Sequence, residues 1–376
     1  MKRNIVYLSR FPANPSGNGG DKRVAQLCDA LSPIAVQFVS LTDMSLPYDE
    51  KLIRIVKTPS GGIQEKLSSL YKRQITYKKY SRWSEGFRDY ILDLHILTNV
   101  YIKSLSHGKP DLLLIDDPVF LAPLVYYAKA NNIPLVAICH NIETLSRDQL
   151  SCVFQREMFA YELDLIGQAD LVVTISKEET FLLRNLGMNP LYFPYFPLKK
   201  TLDSFLQVRN YRTDSPKSNF LLFGTVYNVP TLEGMRKTIS AISNSDILGH
   251  DRLIIGGYGT RERIAQADDS RIEVRGDLSD GELYELLSSI KGCIVYQDNG
   301  SGALTKIPEL LAAGVPVIVN SHAARSHHNL PGIFEFENFD GLRDQMEAAA
   351  KSHVFPHVLS PPDTEPLINR ILALVK

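Results

Sequence analysis

The sequence predicts two doubly wound α/β domains in tandem, and three observations carry that prediction. Short apolar runs rich in Leu, Ile and Val alternate with segments of helical spacing along most of the chain. These alternations fall into two successive sets, separated by a proline-containing polar stretch at Pro194–Lys217. The 376 residues are too many for one ordinary core and suit two domains of about 180 residues each.

Composition narrows the class. With 41 Lys and Arg against 42 Asp and Glu, the net charge of −1 argues against a general nucleic-acid binder. Cys28, Cys139, Cys152 and Cys293 are scattered, form no C-x-x-C pair and read as reduced, mostly buried thiols of a cytoplasmic protein. The N-terminus leads directly into a strand without a signal-peptide core, and no apolar run approaches ~20 residues.

In the first set, Ile5–Leu8 reads as a buried strand. The Gly/Pro/Asn loop Ser9–Gly20 follows, then a helix over Asp21–Leu31 with apolar residues at Val24, Leu27, Cys28 and Leu31. A glycine-rich loop feeding a helix start is a possible anion site, although the G-x-G-x-x-G and Gly-Lys-Ser/Thr spacings are absent. Further strands are expected at Ile34–Leu41 and Leu52–Val56. The segment Ile63–Ser106 reads as helical. Over 63–90 it interleaves Lys66, Lys72, Arg73, Lys78, Lys79, Arg82 and Arg88 with Tyr71, Tyr77, Tyr80, Trp83 and Tyr90. Such a face suits either an anionic membrane surface or inward-packed tyrosines.

Asp111–Ile115 is the next strand and ends at Asp116-Asp117; Pro134–Cys139 follows and runs straight into His140-Asn141-Ile142-Glu143. Ligands of open parallel sheets sit beyond the carboxyl ends of strands, which makes His140 a functional candidate. Helices at Met158–Gln168 and Lys177–Leu186 flank a strand at Asp170–Ile175, and Ser176 with Glu179 reads as a capping box.

The second set opens on the strand Phe220–Phe223, the loop Gly224–Pro230 and a helix over Glu233–Ile242. Arg252–Ile255 leads to Gly256-Gly257-Tyr258-Gly259, and Arg271–Val274 to Arg275-Gly276-Asp277. Ser279 and Glu282 form a second capping box. His322, His327 and His328 read as a surface loop, because zinc needs three or four converging ligands. Helices at Gly341–Ala350 and Glu365–Val375 close the chain.

The most informative stretch is Asp298–Asn320. The turn Asn299-Gly300-Ser301-Gly302 feeds an apolar-periodic helix over Ala303–Ala313, stopped by Gly314 and Pro316, and Val315–Val319 returns as a strand. Such a loop presents backbone N–H groups together with the positive end of a helix dipole, and phosphate fits that arrangement best. Lys306 lies in the first turn, where a cation is unfavourable for the helix unless an anion sits beside it. Glu309, at i+3, would accept hydrogen bonds from a ribose diol. A plain turn with a surface lysine fits the same letters.

This stretch resembles the donor-sugar motif of the retaining glycosyltransferases of family 4, which have the GT-B fold. Gly300, Gly302, Lys306 and Glu309 fit the variant G-x-G-x-x-x-K-x-x-E. The family commonly has two glutamates here; Glu309 matches the second, and Ser301 stands where the first would be. The resemblance covers nearly the whole chain. It implies an acceptor-side domain over 1–197, a nucleotide-sugar domain over 198–362 and a last helix, 363–376, that crosses back to the first domain. The two domains would face a central cleft.

The resemblance also implies roles. Gly19 and Gly20 look like the pair that faces the donor, and Arg23 would meet phosphate or acceptor. His140, in a tetrad similar to His-Asn-x-Glu, would reach the transferred sugar, with Asn141 and Glu143 shaping the acceptor side. Gly224, Thr225, Asn228, Ser301, Gly302, Ala303, Leu304, Lys306 and Glu309 would hold the donor, and Arg275-Gly276 its base. Thr225 replaces an arginine common in the family, so charge on the leaving diphosphate would fall to Lys306 and loop amides.

The expected activity is retaining, metal-independent transfer of a hexose-type sugar from a UDP- or GDP-sugar to a glycan or lipid-linked acceptor. No permanent cofactor is expected, and no D-x-D occurs to bridge a metal. The expected location is the cytoplasm, with possible contact at the inner membrane face through 63–90. A nucleotide-sugar 2-epimerase of the same fold and a non-catalytic nucleotide-sugar-binding protein are the competing readings.

Overall fold

In the computed structural model, residues 3–40, 109–119, 121–146, 152–214, 216–264, 269–352 and 359–375 are described. The expected strand Leu52–Val56, the segment Ile63–Ser106 and the basic, aromatic face over 63–90 lie outside them.

The chain divides into two compact units, Met1–Pro194 with Pro362–Lys376, and Tyr195–Pro361. In the first unit, β1 (Ile5–Ser9), β2 (Gln37–Ser40), β3 (Leu112–Asp116), β4 (Leu135–Cys139), β5 (Leu171–Thr174) and β6 (Pro190–Tyr192) pair in the order β2-β1-β3-β4-β5-β6. In the second, β7 (Phe220–Phe223), β8 (Leu253–Gly256), β9 (Ile272–Gly276), β10 (Gly292–Val295), β11 (Val317–Asn320) and β12 (Ile333–Phe336) pair as β12-β11-β10-β7-β8-β9. Every described pairing is parallel. A parallel sheet covered on both faces needs apolar residues in both directions, and LLLI, LVAI and VIV are such runs.

The order determines where a ligand fits. In each sheet the chain builds one flank, then crosses back over its first strand to build the other. The reversal lies between β1 and β3 in the first unit and between β7 and β10 in the second. Loops leaving the carboxyl ends of such a pair part in opposite directions and open a crevice.

The polar stretch Pro194–Lys217, expected to separate the two sets, contains regular structure. Lys199–Asp214 is a helix, with Phe205 and Val208 buried in the core of the second unit. Two of its arginines cap other helices. Arg209 Nε and Nη2 donate to Ala312 O and Leu311 O at 3.0 and 2.7 Å, and Arg212 Nε to Gly314 O at 2.9 Å. Arg212 Nη1 also reaches Leu287 O and, at 2.9 Å, Ile290 O. These carbonyls lie in or just beyond the last turns of their helices, where the helical ladder of hydrogen bonds runs out. The polar composition that suggested a linker is thus the exposed side of a helix whose arginines serve its neighbours. Burial lowers the Arg212 guanidinium to about 10. The last helix, Glu365–Leu374, buries Leu367 and Ile371, and its Arg370 donates to Pro190 O at 3.4 Å, inside the first unit.

Candidate functional site

In the second unit, candidate residues gather at the β7/β10 reversal. β7 ends at Phe223, and Gly224–Asn228 leads to a helix over Val229–Ser243. The helix starts four residues earlier than its apolar spacing suggests, because Asn228 caps it: Asn228 Oδ1 accepts from Thr231 N at 3.1 Å and Thr231 Oγ1 at 3.0 Å. Lys306 is the first residue of the helix Lys306–Ala312, and its Nζ donates to Phe223 O at 3.0 Å. A Cβ on Gly224 would stand 2.5 Å from that ammonium and 2.8 Å from Thr231 Cγ2, so the position excludes a side chain. Thr225 is half-buried beside it.

The loop before Lys306 bends at Gly300 (φ +94°) and Gly302 (φ +71°), conformations glycine adopts without steric cost. Its carbonyls are bound from behind. His322 Nε2 donates to Gly300 O at 3.0 Å, Arg325 Nη2 to Ser301 O at 3.0 Å and Arg325 Nε to Gly302 O at 2.8 Å. Arg325 is buried and also reaches Gln297 Oε1 at 3.1 Å and His322 O at 2.8 Å. Gln297 Nε2 continues to Thr231 Oγ1 at 3.2 Å. One polar chain therefore runs from the Asn228 cap to the glycine loop. Ala303 and Leu304 are half-buried at its end. Glu309 is buried, and its Oε1 accepts from Tyr195 at 2.8 Å.

The β8 and β9 loops are tied together. Gly276 has φ +88°, Arg261 donates to Arg275 O at 2.7 Å, and Gly259 N donates to Asp277 Oδ1 at 2.8 Å. Beside them is a groove of about 580 Å³ lined in part by Arg261, Val274, Arg275, Asp277 and Glu282.

The histidine loop differs from the surface loop expected. His322 is half-buried and His327 is buried, while His328 is the exposed one and pairs with Glu335 at 3.0 Å. Burial, then the Arg325 charge, lowers the His322 pKa, so near neutral pH it bonds Gly300 O as an uncharged donor.

In the first unit, Gly19 and Gly20 begin the helix Gly19–Ala30. Asn18 Oδ1 accepts from Gly20 N at 2.8 Å and Asp21 N at 3.3 Å, so the capping side chain takes two of the amides that sequence assigned to an anion. A Cβ on Gly20 would meet the Phe11 ring at 2.7 Å. Arg23 requires correction. It is fully buried, and its guanidinium bonds Gln26 Oε1 at 2.6 Å, Phe193 O at 2.5 Å and Pro194 O at 3.2 Å. It fastens the helix to the end of β6 and has no surface for a phosphate or an acceptor.

His140 follows β4, and its Nε2 contacts Asp116 Oδ1. The other oxygen of Asp116 accepts from Ser9 Oγ at 2.5 Å, and Ser9 Oγ accepts from Phe11 N at 2.9 Å. The Phe11 and His140 rings lie 5.1 Å apart. Arg10 bridges Asp117 at 2.6 Å and Glu143 at 3.3 Å. Burial raises the Asp117 carboxyl well above the usual range, against the pull of Arg10.

The turn after His140 rests on two carboxylates that motif spacing does not reveal. Glu162 accepts from Glu143 N at 2.7 Å, Thr144 N at 2.9 Å and Thr144 Oγ1 at 2.6 Å. Glu179 accepts from Ile142 N at 2.8 Å. Ser176 caps its helix as expected, accepting from Glu179 N at 3.1 Å, but the Glu179 carboxylate serves the Ile142 turn rather than closing the box. Asn141 is half-buried between these supports.

No family model matches the chain, and no curated protein matches it in sequence. Solved structures match it over nearly its full length. Sucrose-phosphate synthase from Thermosynechococcus elongatus aligns at 15% identity and a TM-score of 0.64, over 99% of this chain and 95% of that one. The Anabaena protein HepE, in complex with UDP and glucose, aligns at 12% identity and 0.60, over 99% of both chains. WaaG, a glycosyltransferase involved in lipopolysaccharide biosynthesis, aligns at 11% and 0.58, over 98% of this chain and 94% of that one. With the two six-stranded parallel sheets, these likenesses establish the class: the chain has the two-domain GT-B fold. Among the described residues, no helix is long and apolar enough to cross a membrane.

Proposed function

We propose that this protein is a retaining glycosyltransferase similar to family 4, moving a hexose-type sugar from a nucleoside-diphosphate sugar to a glycan or lipid-linked acceptor. The observation that carries this reading is the meeting of Lys306, Gly224 and the glycine loop at the β7/β10 reversal, where Lys306 Nζ lies 3.0 Å from Phe223 O. A cation and aligned amides at that place suit a diphosphate.

In this reading Lys306 and the amides after Gly300 take the charge that develops on the leaving diphosphate, and the diphosphate helps deprotonate the acceptor hydroxyl on the same face. Ser301 stands where the family has its first glutamate, so sugar hydroxyls meet loop amides there. Glu309, oriented by Tyr195, receives the ribose diol, and the Arg275–Asp277 turn receives the base. In the first unit His140, held by Asp116, reaches the transferred sugar, and Asn141 and Glu143 shape the acceptor side. The likeness in fold to HepE, a protein solved in complex with UDP and glucose, supports a nucleotide-sugar donor.

The test is product analysis of UDP- and GDP-hexoses incubated with and without glycan or lipid-linked acceptors. Transfer with the donor's anomeric configuration kept is the expected result. Inverted products would overturn retention. A donor epimerised without acceptor, or bound and never turned over, would overturn glycosyl transfer itself.

A further inference from the structure

The glycine loop is shaped by two side chains outside every motif read from the sequence, His322 and Arg325. They lie on the turn after β11, and their ring and guanidinium bind the carbonyls of three consecutive residues, Gly300, Ser301 and Gly302, at 3.0, 3.0 and 2.8 Å. In a planar trans peptide the C=O of one residue points opposite to the N–H of the next. Fixing those three carbonyls therefore turns the N–H groups of Ser301, Gly302 and Ala303 toward the opposite face. An extended chain alternates its peptides and cannot do this; positive φ at Gly300 and Gly302 makes it possible here. Successive N–H groups turned one way form an anion-binding concavity.

Resting on the donor-site reading above, we infer that Arg325 and His322 are positioning residues that set these amides for the second phosphate of the donor and the sugar it carries. Arg325 suits the task for a physical reason. Its planar fork serves two adjacent carbonyls at once, and two further bonds, to Gln297 Oε1 and His322 O, fix the fork itself. A lysine has no such geometry. The buried guanidinium also lends positive potential to the amides in front of it. This supports the loop in a chain where Ser301 brings no carboxylate to organise the sugar.

The experiment compares a nucleoside diphosphate with its monophosphate. UDP and GDP are titrated calorimetrically into the full-length protein, and the tighter one is paired with UMP or GMP. In Arg325→Lys and in His322→Gln, affinity for the diphosphate should fall about 10-fold, while affinity for the monophosphate stays within about 2-fold. Circular dichroism melting checks folding, and His322→Gln carries the test if Arg325→Lys unfolds. Equal losses for both nucleotides, or no loss for either, overturn the positioning role while leaving the donor-site reading intact. A wild-type protein that binds neither diphosphate overturns the donor-site reading, and the positioning role with it.

Discussion

The carboxyl ends of the two sheets share a topology and differ in chemistry. At the second sheet the part of the candidate site read as holding the diphosphate is made of backbone and cations: Lys306, buried Arg325 and a loop bent at two glycines. At the first it is made of carboxylates and one imidazole: Asp116, Asp117, Glu143 and Glu162 around His140 and Arg10. The lesson is electrostatic. The second site holds fixed positive charge that needs no titration to act on an anion. The first holds buried acids, of which burial raises Asp117 and Glu162 above the usual carboxylate range, a chemistry suited to hydroxyl groups.

The sharpest way to break this contrast is to remove the cation. Lys306→Ala should lower turnover by about 10²- to 10³-fold if the ammonium stabilises the leaving diphosphate. Steady-state transfer or donor hydrolysis measures it, and near-wild-type turnover would place the charge stabilisation elsewhere.

A second test uses pH on the acidic side of the comparison. Burial holds Glu162 at about 7 rather than 4.5, outweighing the hydrogen bonds from Thr144 and Glu143. The folded chain thus carries more proton than the unfolded one between those values, so this carboxyl costs stability as pH rises through the window. Its contribution is intact below about pH 4.5 and declines by up to about 3 kcal/mol once pH passes 7. Glu162→Gln cannot ionise. The wild type should lose several degrees of melting temperature relative to this variant between about pH 5 and about pH 8. A difference that does not change with pH would show that Glu162 does not ionise in that range.

The smallest expected effect separates a positioning acid from a reacting one. Asp116→Asn should cost roughly 10-fold in turnover, below the range for loss of a proton-transferring group. A loss as large as that of His140→Ala would make Asp116 part of the chemistry.

The parallel sheets and their order of appearance were legible in the sequence, because strands buried on both faces are continuous apolar runs such as LLLI and VIV. The glycine loop, Lys306 and His140 were legible as motif positions. What holds them was not. Arg325 lies in a stretch whose histidines suggested a surface loop, and nothing local shows that its fork binds carbonyls more than 20 residues away. Glu162 reads as one acidic residue on a helix until the fold brings the Glu143–Thr144 turn against it. Arg23 misled for the same reason: a cation one turn into a helix that follows a glycine loop suggests phosphate, and only the β6 end shows where it goes. Long-range bonds from side chain to backbone leave no periodic trace in a sequence.

The central claim is that the diphosphate binds at the β7/β10 reversal. A crystal structure of the full-length protein with UDP or GDP tests it most directly. The expected result is a phosphate oxygen within about 3 Å of Lys306 Nζ, with another facing the amides of Ser301–Ala303. A nucleotide seated away from the Gly224 and Gly300–Lys306 loops, with Lys306 directed elsewhere, would contradict it.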